Sequence, residues 1–533
     1  MIKLKKTIST LFVILHLLSI LFLISCEIPV KASPTTWTVD DDKPADFKKI
    51  QDAINNASSG DTIFVRKGIY YENVVINKSV SLVGEDMDST IVYGSENGSV
   101  ISIVASDVNF TGFTVKKSGT KADDSAIRIE HSSGVVITYN KITENAKGIG
   151  LFSSSNNVIS SNTIFYNEFG VHFFSSNNNV ISGNVISNNY YGIYLAYSSG
   201  DVFSGNTIFY NEVYGVHFFS SNNNVISGNV ISNNYDRGVY LTFSSNNIFY
   251  HNSFNNTNQV ISDSTNFWNY DGEGNYWSDY NFTGGDLNND GIGDKPYVIN
   301  ENNQDNCPLM GVFSVFNISF KREIYHVSVI SNSTISDFGF KIGAETGNKI
   351  VSFNAGGKEG TVGFCRVMIP TEFMDYPFIV LIDEEAVIPT LLGISNETYS
   401  YLYLTYIHSS RNITIISSET LHLYSELLNQ YVRLQMDLYD LNVTYYALLN
   451  NYYDLLNNYS ILLGNYSQLQ RSSSALNSSY QEHLLEYSEN VHNLQNLMYI
   501  FAGTTAIFII TTIYLSKRAH TRITTKYKEF EGE

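Results

Sequence analysis

The residues best suited to chemistry lie in three small groups. In "DLNNDGIGDKPY", Asp286, Asn288, Asp290 and Asp294 fall at positions 1, 3, 5 and 9 of a calcium-type loop. Gly291 stands at the turn position, and Ile292 would add a backbone carbonyl. Such loops close with a bidentate Glu at the twelfth position, where this chain has Tyr297. Two readings stay open: a structural Ca2+ site without catalysis, or a metal-free cluster of turn residues.

A second group is His172, Tyr194, His217 and Tyr240, which occupy equivalent outward positions in successive repeats and are the ligand-face candidates. Two histidines on one metal must both approach to about 2 Å. A tyrosine between them, and no Met or Cys in the stripe, argue against copper. The third group is Glu168 and Glu212, equivalent positions two repeats apart, or about 9–10 Å at strand spacing. That separation suits an inverting glycosidase pair, but no further acids or bases surround them, so solvated corner residues are the expectation and no catalytic residue is assigned.

These groups hang on a repeat. The segment "VHFFSSNNNVISGNVISNNY" occurs at Val171 and again at Val216. The finer unit is visible in Asn140, Asn162, Asn184, Asn206, Asn229 and Asn252, which step by 22, 22, 22, 23 and 23 residues. Asn145, Asn167, Asn189, Asn211 and Asn234 form a second series, and Gly148, Gly170, Gly192, Gly215 and Gly238 a third. Apolar positions keep the same register, with short period-two alternations and Asn/Gly corners. No apolar face recurs at helical spacing. Units of this kind stack as a parallel β-helix, with an Ile/Leu core and Asn amides satisfying one another at the corners. Upstream, Phe47, Ile50, Ala53 and Ile54 predict a short helix over the open solenoid end.

Three stretches in order carry a family resemblance. They are "IQDAINNASSGDTIFVRKGIYYENVVINKSVSLVG", the Asn/Gly coils, and "GNYWSDYNFTGGDLNNDGIGDKPYVI" with "DNCPLM". Together they resemble the NosD-type right-handed β-helix proteins common on archaeal surfaces, over roughly Trp37 to Met310. The resemblance implies a pectin-lyase-like solenoid. It also implies a link to copper binding, from the family's usual label, and to sugar-active enzymes that share the fold.

The chain has 533 residues, 14% aromatics and a net charge of −19. That acidity argues against nucleic acid, whose phosphates require basic stripes. Lys3, Lys5 and Lys6 before the apolar run Leu11–Ile24 read as an export signal over residues 1–33. Leu23-Ile24-Ser25-Cys26 approximates a lipobox, so cleavage and lipoprotein processing both stay open. Residues 498–516 are apolar enough for a membrane helix, followed by the basic tail 517–533 with Lys517, Arg518, Arg522, Lys526 and Lys528. The expected topology is single-pass, with the ectodomain outside and the tail cytoplasmic. Asn-x-Ser/Thr sites at Asn77, Asn97, Asn109, Asn281, Asn317, Asn332, Asn396, Asn412, Asn442 and Asn458 permit glycosylation there. Cys307 and Cys365 could pair in an oxidising exterior.

The domain plan is then a β-helix over 34–310 with an Asp/Asn/Gly-rich cap, and a β-sandwich-like domain over 311–417. A coiled coil over 418–497 follows, leading into the membrane segment. The coiled coil rests on Leu427, Leu434, Leu441, Leu448, Leu455, Leu462, Leu469 and Leu476, with mainly Tyr four residues later. The register slips by one near His483. Self-association through this seam is the expectation, and a helical hairpin within one chain is the alternative. The leading functional expectation is a non-enzymatic, membrane-anchored surface protein whose β-helix binds glycan, cell envelope or a partner. The alternatives are a metal-handling accessory protein and a polysaccharide hydrolase or lyase.

Overall fold

The computed structural model describes residues 34–280, 285–417, 419–472 and 480–529. They divide into two units, one ending at Ser425 and the other starting at Glu426. The export signal with Cys26, the glycosylation site Asn281, and the seam residues Ser473 and Leu476 lie outside the described residues. So do the side chains of Leu469, His483, Arg518, Arg522, Lys526 and Lys528.

Each coil of the first unit holds three short strands. In one coil they are Val158–Ser160, Thr163–Phe165 and Phe169–Phe174. Their inward residues Ile159, Ile164, Val171 and Phe173 are fully buried. The next coil repeats the pairing in parallel register, Ile159 on Ile181, Ile164 on Ile186, Val171 on Ile193 and Phe173 on Leu195. Among the described residues this stacking builds three parallel sheets of ten, ten and nine strands around one core. Single residues in the left-handed region turn the corners, for example Ser161 (φ 56°), Tyr166 (φ 54°) and Ser175 (φ 50°). Left-handed backbone costs a non-glycine residue roughly 1–2 kcal/mol, so something must offset each corner.

The offset comes from the residue that follows it. Asn184 donates its backbone N–H and its Nδ2 to Asn206 Oδ1, both at 3.0 Å, and Nδ2 also donates to the Ile159 carbonyl at 2.9 Å. Its own Oδ1 accepts the same pair of bonds from Asn162. The bonding capacity of a fully buried amide is thereby used within the stack. The second ladder runs through Asn145, Asn167, Asn189, Asn211, Asn234 and Asn256 in the same way. A third ladder, absent from the sequence reading, runs Asn157, Asn179, Asp201, then Asn224, Asn247, Asn266. A column of buried serines, Ser154, Ser176, Ser198 and Ser221, runs beside it. The glycine series has a different cause: a Cβ on Gly148, Gly170 or Gly192 would sit 2.4–2.5 Å from the carbonyl oxygen of the next coil's glycine.

Both solenoid ends are covered. At the first, helix α1 (Ile50–Asn56) buries Ile50, Ala53 and Ile54. Its first N–H groups, from Ile50 and Gln51, donate to the Glu72 carboxylate at 2.9 and 3.1 Å. At the second, Trp268 stacks on Phe249 and Trp277 on Phe254. The ladders end there on Asn303, Asp305 and Gln259, which accept the last rungs without needing a further coil.

Residues 312–417 form two five-stranded antiparallel sheets that share a core including Val329, Val367, Phe353 and Ile415. This matches the predicted sandwich. Its joint to the solenoid is a buried cluster: Glu273 accepts from Arg366 Nη2 at 2.5 Å and bonds His251 Nε2 at 2.6 Å. The His251 ring stacks on Phe313 with centroids 3.7 Å apart. Cys307 and Cys365 are free thiols, so the proposed bridge does not form.

The second unit holds most of α2 (Glu419–Ser472) and all of α3 (Tyr480–Glu529). The stretch Tyr487–Lys517 of α3 is long and apolar enough to cross a membrane, with mean hydropathy 1.8. Seam residues Leu448, Tyr452, Leu455 and Tyr459 line an apolar groove with Val491, Leu494 and Met498 of α3. That is hairpin geometry within one chain, the alternative weighed against self-association. Asn450, Asn451, Asp454, Asn457 and Asn458 bar this part of α2 from a hydrocarbon layer. The groove and full insertion of α3 therefore exclude each other.

Asp201 generates a prediction. It accepts from Asn179 N at 2.7 Å and Nδ2 at 3.0 Å, while its other oxygen is buried without a partner. An asparagine would point a donor there. Burial pushes the Asp201 carboxyl up to about 7. A carboxyl raised in the folded state stabilises fully below the unfolded value near 4, and this contribution is lost as pH rises toward 7. Asp201→Asn should raise the melting temperature of the full-length protein in detergent by on the order of 5 °C at pH 8. The gain should shrink steadily toward pH 4, and a gain independent of pH would refute the assignment.

Candidate functional site

Outward residues distinguish the three sheets. On one ten-stranded sheet they are mostly Val, Ser and Thr, as in Val180, Ser182, Val202 and Ser204. On the other, Val, Ser and Thr alternate with Lys141 and rings such as Phe165 and Phe209. On the nine-stranded sheet, which holds the strands after each coil glycine, they are mostly rings. One column there reads Ser125, Lys147, Phe169, Tyr191, Tyr214, Arg237, and the next Arg128, Gly150, His172, Tyr194, His217, Tyr240. A third reads Glu130, Phe152, Phe174, Ala196, Phe219, Thr242. The predicted face of His172, Tyr194, His217 and Tyr240 is thus one strand-paired column, flanked by two that the sequence reading did not single out.

The rings pack on one another along the solenoid axis. Phe169 stacks on Tyr191 at 4.9 Å, His172 on Tyr194 at 5.3 Å, and His217 on Tyr240 at 4.8 Å. Each end of the patch carries cations laid over rings. Arg128 lies 4.5 Å above Phe152, and Arg237 lies above both Tyr214 and Tyr240. These charges are already satisfied, Arg128 by Glu130 at 2.9 Å and Arg237 by Asp236 at 2.6 Å. Lys147 is buried and donates to the Ala122 carbonyl.

The histidines have an unusual setting. Both ring nitrogens of His217, and Nδ1 of His172, are buried without a hydrogen-bond partner. Burial drives the His172 imidazole down to about 3, helped by Lys147, and burial drives His217 down to about 4. Both are therefore neutral rings within an aromatic stack. A copper centre needs several donors converging on one point. Here Tyr194 separates the two imidazoles, and the three columns hold no Met or Cys. Among the described residues, the one acidic or histidine group that gathers three ligand atoms is Asp40, Asp41 and Asp42. The donor set of this face does not fit copper.

Glu168 and Glu212 are exposed and hold the same place in their coils, with Tyr190 between them. Neither side chain makes a hydrogen bond, so the geometry brings no acid–base partner to either. The loop Asp286–Asp294 is turned inward. Asp286 accepts from the N–H groups of Asp290 and Gly291 at 3.0 and 2.9 Å, Asp290 from Ile292 at 2.8 Å, and Asp294 from Leu287 at 2.5 Å. Asn288 Nδ2 donates to Asp290 Oδ2 at 3.0 Å. Burial, with Asp290 and Asp294 nearby, raises the Asp286 carboxyl. Gly291, at φ +81°, lies against Phe364 and Arg366 of the sandwich, while Ile292 packs beside Leu309. The loop locks the solenoid end to the next domain.

Two outcomes follow. A histidine depressed on folding contributes stability that is complete above its unfolded value near 6.5 and is lost as pH falls toward the folded value. The melting difference between His217→Phe and the unaltered chain should therefore grow in the variant's favour from pH 6.5 to pH 4. For the loop, melting temperature should be unchanged between millimolar calcium and excess chelator. A calcium-dependent rise that Asp286→Asn abolishes would instead place a cation there.

Residues 54–282 match the family model described as periplasmic copper-binding protein (NosD). The chain is 46% identical over 69 residues to the "Probable ABC transporter binding protein NosD" of Stutzerimonas stutzeri. That match spans 12% of this chain and 15% of the relative, so the chain covers a small part of the relative's length. Among solved structures, pectate lyase Pel9A aligns at 13% identity with a TM-score of 0.36, covering 45% of this chain and 80% of that one. An alginate lyase from Paenibacillus sp. str. FPU-7 aligns at 14% identity and a TM-score of 0.31, covering 43% and 99%. Residues 54–282 thus match the NosD family model, and those described among them up to Tyr280 form a parallel β-helix, as the coil spacing predicts.

Proposed function

We propose that this chain is a non-enzymatic, membrane-anchored surface protein whose β-helix binds glycan of the cell envelope or of a neighbouring cell. The observation that carries the reading is the division of outward residues. The nine-stranded sheet has ring side chains in three adjacent columns, whereas the other two sheets are mixed, with scattered rings such as Phe165 and Phe209. A solenoid needs only its inward residues to fold, so the rings on one face are free to serve recognition, where tyrosine is favoured. The apolar stretch of α3 supplies a single-pass anchor, and the basic residues after it favour a cytoplasmic tail. The leucine seam of α2 is read as a self-associating stalk, supported by Leu427, Leu434, Leu448, Leu455 and Leu462, each at least 37% exposed. This reading does not depend on calcium, since the Asp286 loop closes the solenoid end through its own backbone bonds with or without a cation.

The family description favours a second reading, a copper-handling accessory protein. A glycan array probed with the full-length protein in detergent, together with metal analysis of the same preparation, separates the two. The first reading expects glycan binding weakened about tenfold by Tyr194→Ala with Tyr240→Ala, a loss of roughly 1.4 kcal/mol. Stoichiometric copper that disappears in His172→Ala with His217→Ala would overturn it. A third reading, polysaccharide cleavage, requires product formation that Glu168→Gln abolishes.

A further inference from the structure

Three ring pairs on this sheet turn their faces toward one another, while others such as Tyr194 and His217 meet edge to face. Phe169 and Tyr191, His172 and Tyr194, and His217 and Tyr240 lie within 27° of parallel, each pair packed along the axis. In each pair the facing side of each ring is covered by its partner in the neighbouring coil. The tyrosine edges carry the phenol groups. The hydroxyls of Tyr191, Tyr194 and Tyr240 are on half-buried side chains and form no hydrogen bond within the protein. Tyr191 and Tyr194 share one coil, and Tyr240 lies two coils on, about 9–10 Å away at strand spacing.

Charge on the patch is arranged one way. Arg128 and Arg237 are consumed by Glu130 and Asp236, and Lys147 is buried on a carbonyl. Both imidazoles lie in the stack, with both nitrogens of His217 and Nδ1 of His172 sealed from solvent. The exposed ions at the margin are the carboxylates Glu168 and Glu212, on a chain whose net charge is −19. A carboxylated or sulfated chain laid along this face would find no uncommitted cation and would approach two like charges. An uncharged chain of hydroxyls can exchange hydrogen bonds with the phenols without burying any charge.

We infer that the sheet takes an uncharged, hydroxyl-rich polysaccharide lying along the solenoid axis, read through the phenol hydroxyls, and that it rejects polyuronates. The inference rests on the glycan reading above and assigns its ligand class. The test is calorimetric titration of the full-length protein in detergent at low and physiological salt. The neutral probes are hexasaccharides of β-1,4-glucose, β-1,3-glucose, α-1,4-glucose and α-mannose. The charged probes are hexagalacturonate and hexamannuronate.

At least one neutral probe is expected to bind ten times more tightly than either uronate. Tyr194→Phe with Tyr240→Phe, which keeps both rings and removes both hydroxyls, should weaken it about tenfold. Glu168→Gln with Glu212→Gln should raise uronate affinity at low salt. Uronate binding equal to or tighter than neutral binding overturns the inference and leaves the glycan reading intact. Binding that survives the Tyr→Phe pair but falls with Tyr→Ala overturns the hydroxyl assignment in favour of ring contact. Binding of neither class sinks the glycan reading itself, and the inference with it.

Discussion

The whole solenoid depends on one requirement: every buried amide at a corner must find its partner in the coil above and the coil below. Short strands of three residues make too few backbone bonds to hold a coil alone. The corners are where the chain pays for left-handed residues and could strand polar groups. An asparagine placed one residue after the corner satisfies the neighbouring coil's N–H and a carbonyl in the same step. Losing one rung leaves buried groups unpaired, at about 1–3 kcal/mol each. Consequently the ladder positions tolerate little beyond Asn, Ser, or a protonated Asp such as Asp201.

Because the ladders and the inward Ile, Val, Leu and Phe residues carry the fold, the outward positions are released from it. Two sheets use that freedom for mixed residues, Val, Ser and Thr with scattered rings, while the third gathers rings in adjacent columns. The buried, neutral imidazoles of His172 and His217 belong to this stack as aromatic rings rather than as ligands. Their missing hydrogen bonds are a cost accepted inside an apolar column. The ends of the solenoid meet the same requirement differently. Asn303, Asp305 and Gln259 act as final acceptors, and Trp268 and Trp277 cover the core.

Much of this was legible in the sequence, because a stacked fold converts spacing directly into contact. Asn162, Asn184 and Asn206 recur at a fixed step, and each is bonded to the next. The glycine step is equally direct, since coil-to-coil approach forbids a Cβ. The third ladder was harder to see. Asp201 interrupts it with a different residue type, and its members sit within runs such as "SSNNN" where the phase of any single Asn is ambiguous. The cap was legible only in part: Asp286, Asp290 and Asp294 share the spacing of metal ligands, and coordinates add that their oxygens accept backbone N–H groups of the same loop. Nor does spacing reveal that Arg128 and Arg237 are spent on nearby carboxylates, which decides what the ring face can attract.

The duplicated segment beginning at Val171 and Val216 has a consequence beyond shape. Each copy carries one histidine rung, and the interval of 45 residues from Val171 to Val216 adds one tyrosine rung and complete ladder positions, so that interval is a self-contained module two coils long. Unequal recombination between the two copies would insert or remove a whole module without breaking any ladder or exposing any core. Length would change in even steps while register, caps and joint stayed untouched. The protein therefore carries a heritable ruler: lineages could vary the reach and avidity of the ring face by copy number alone, with no new residue needing to evolve.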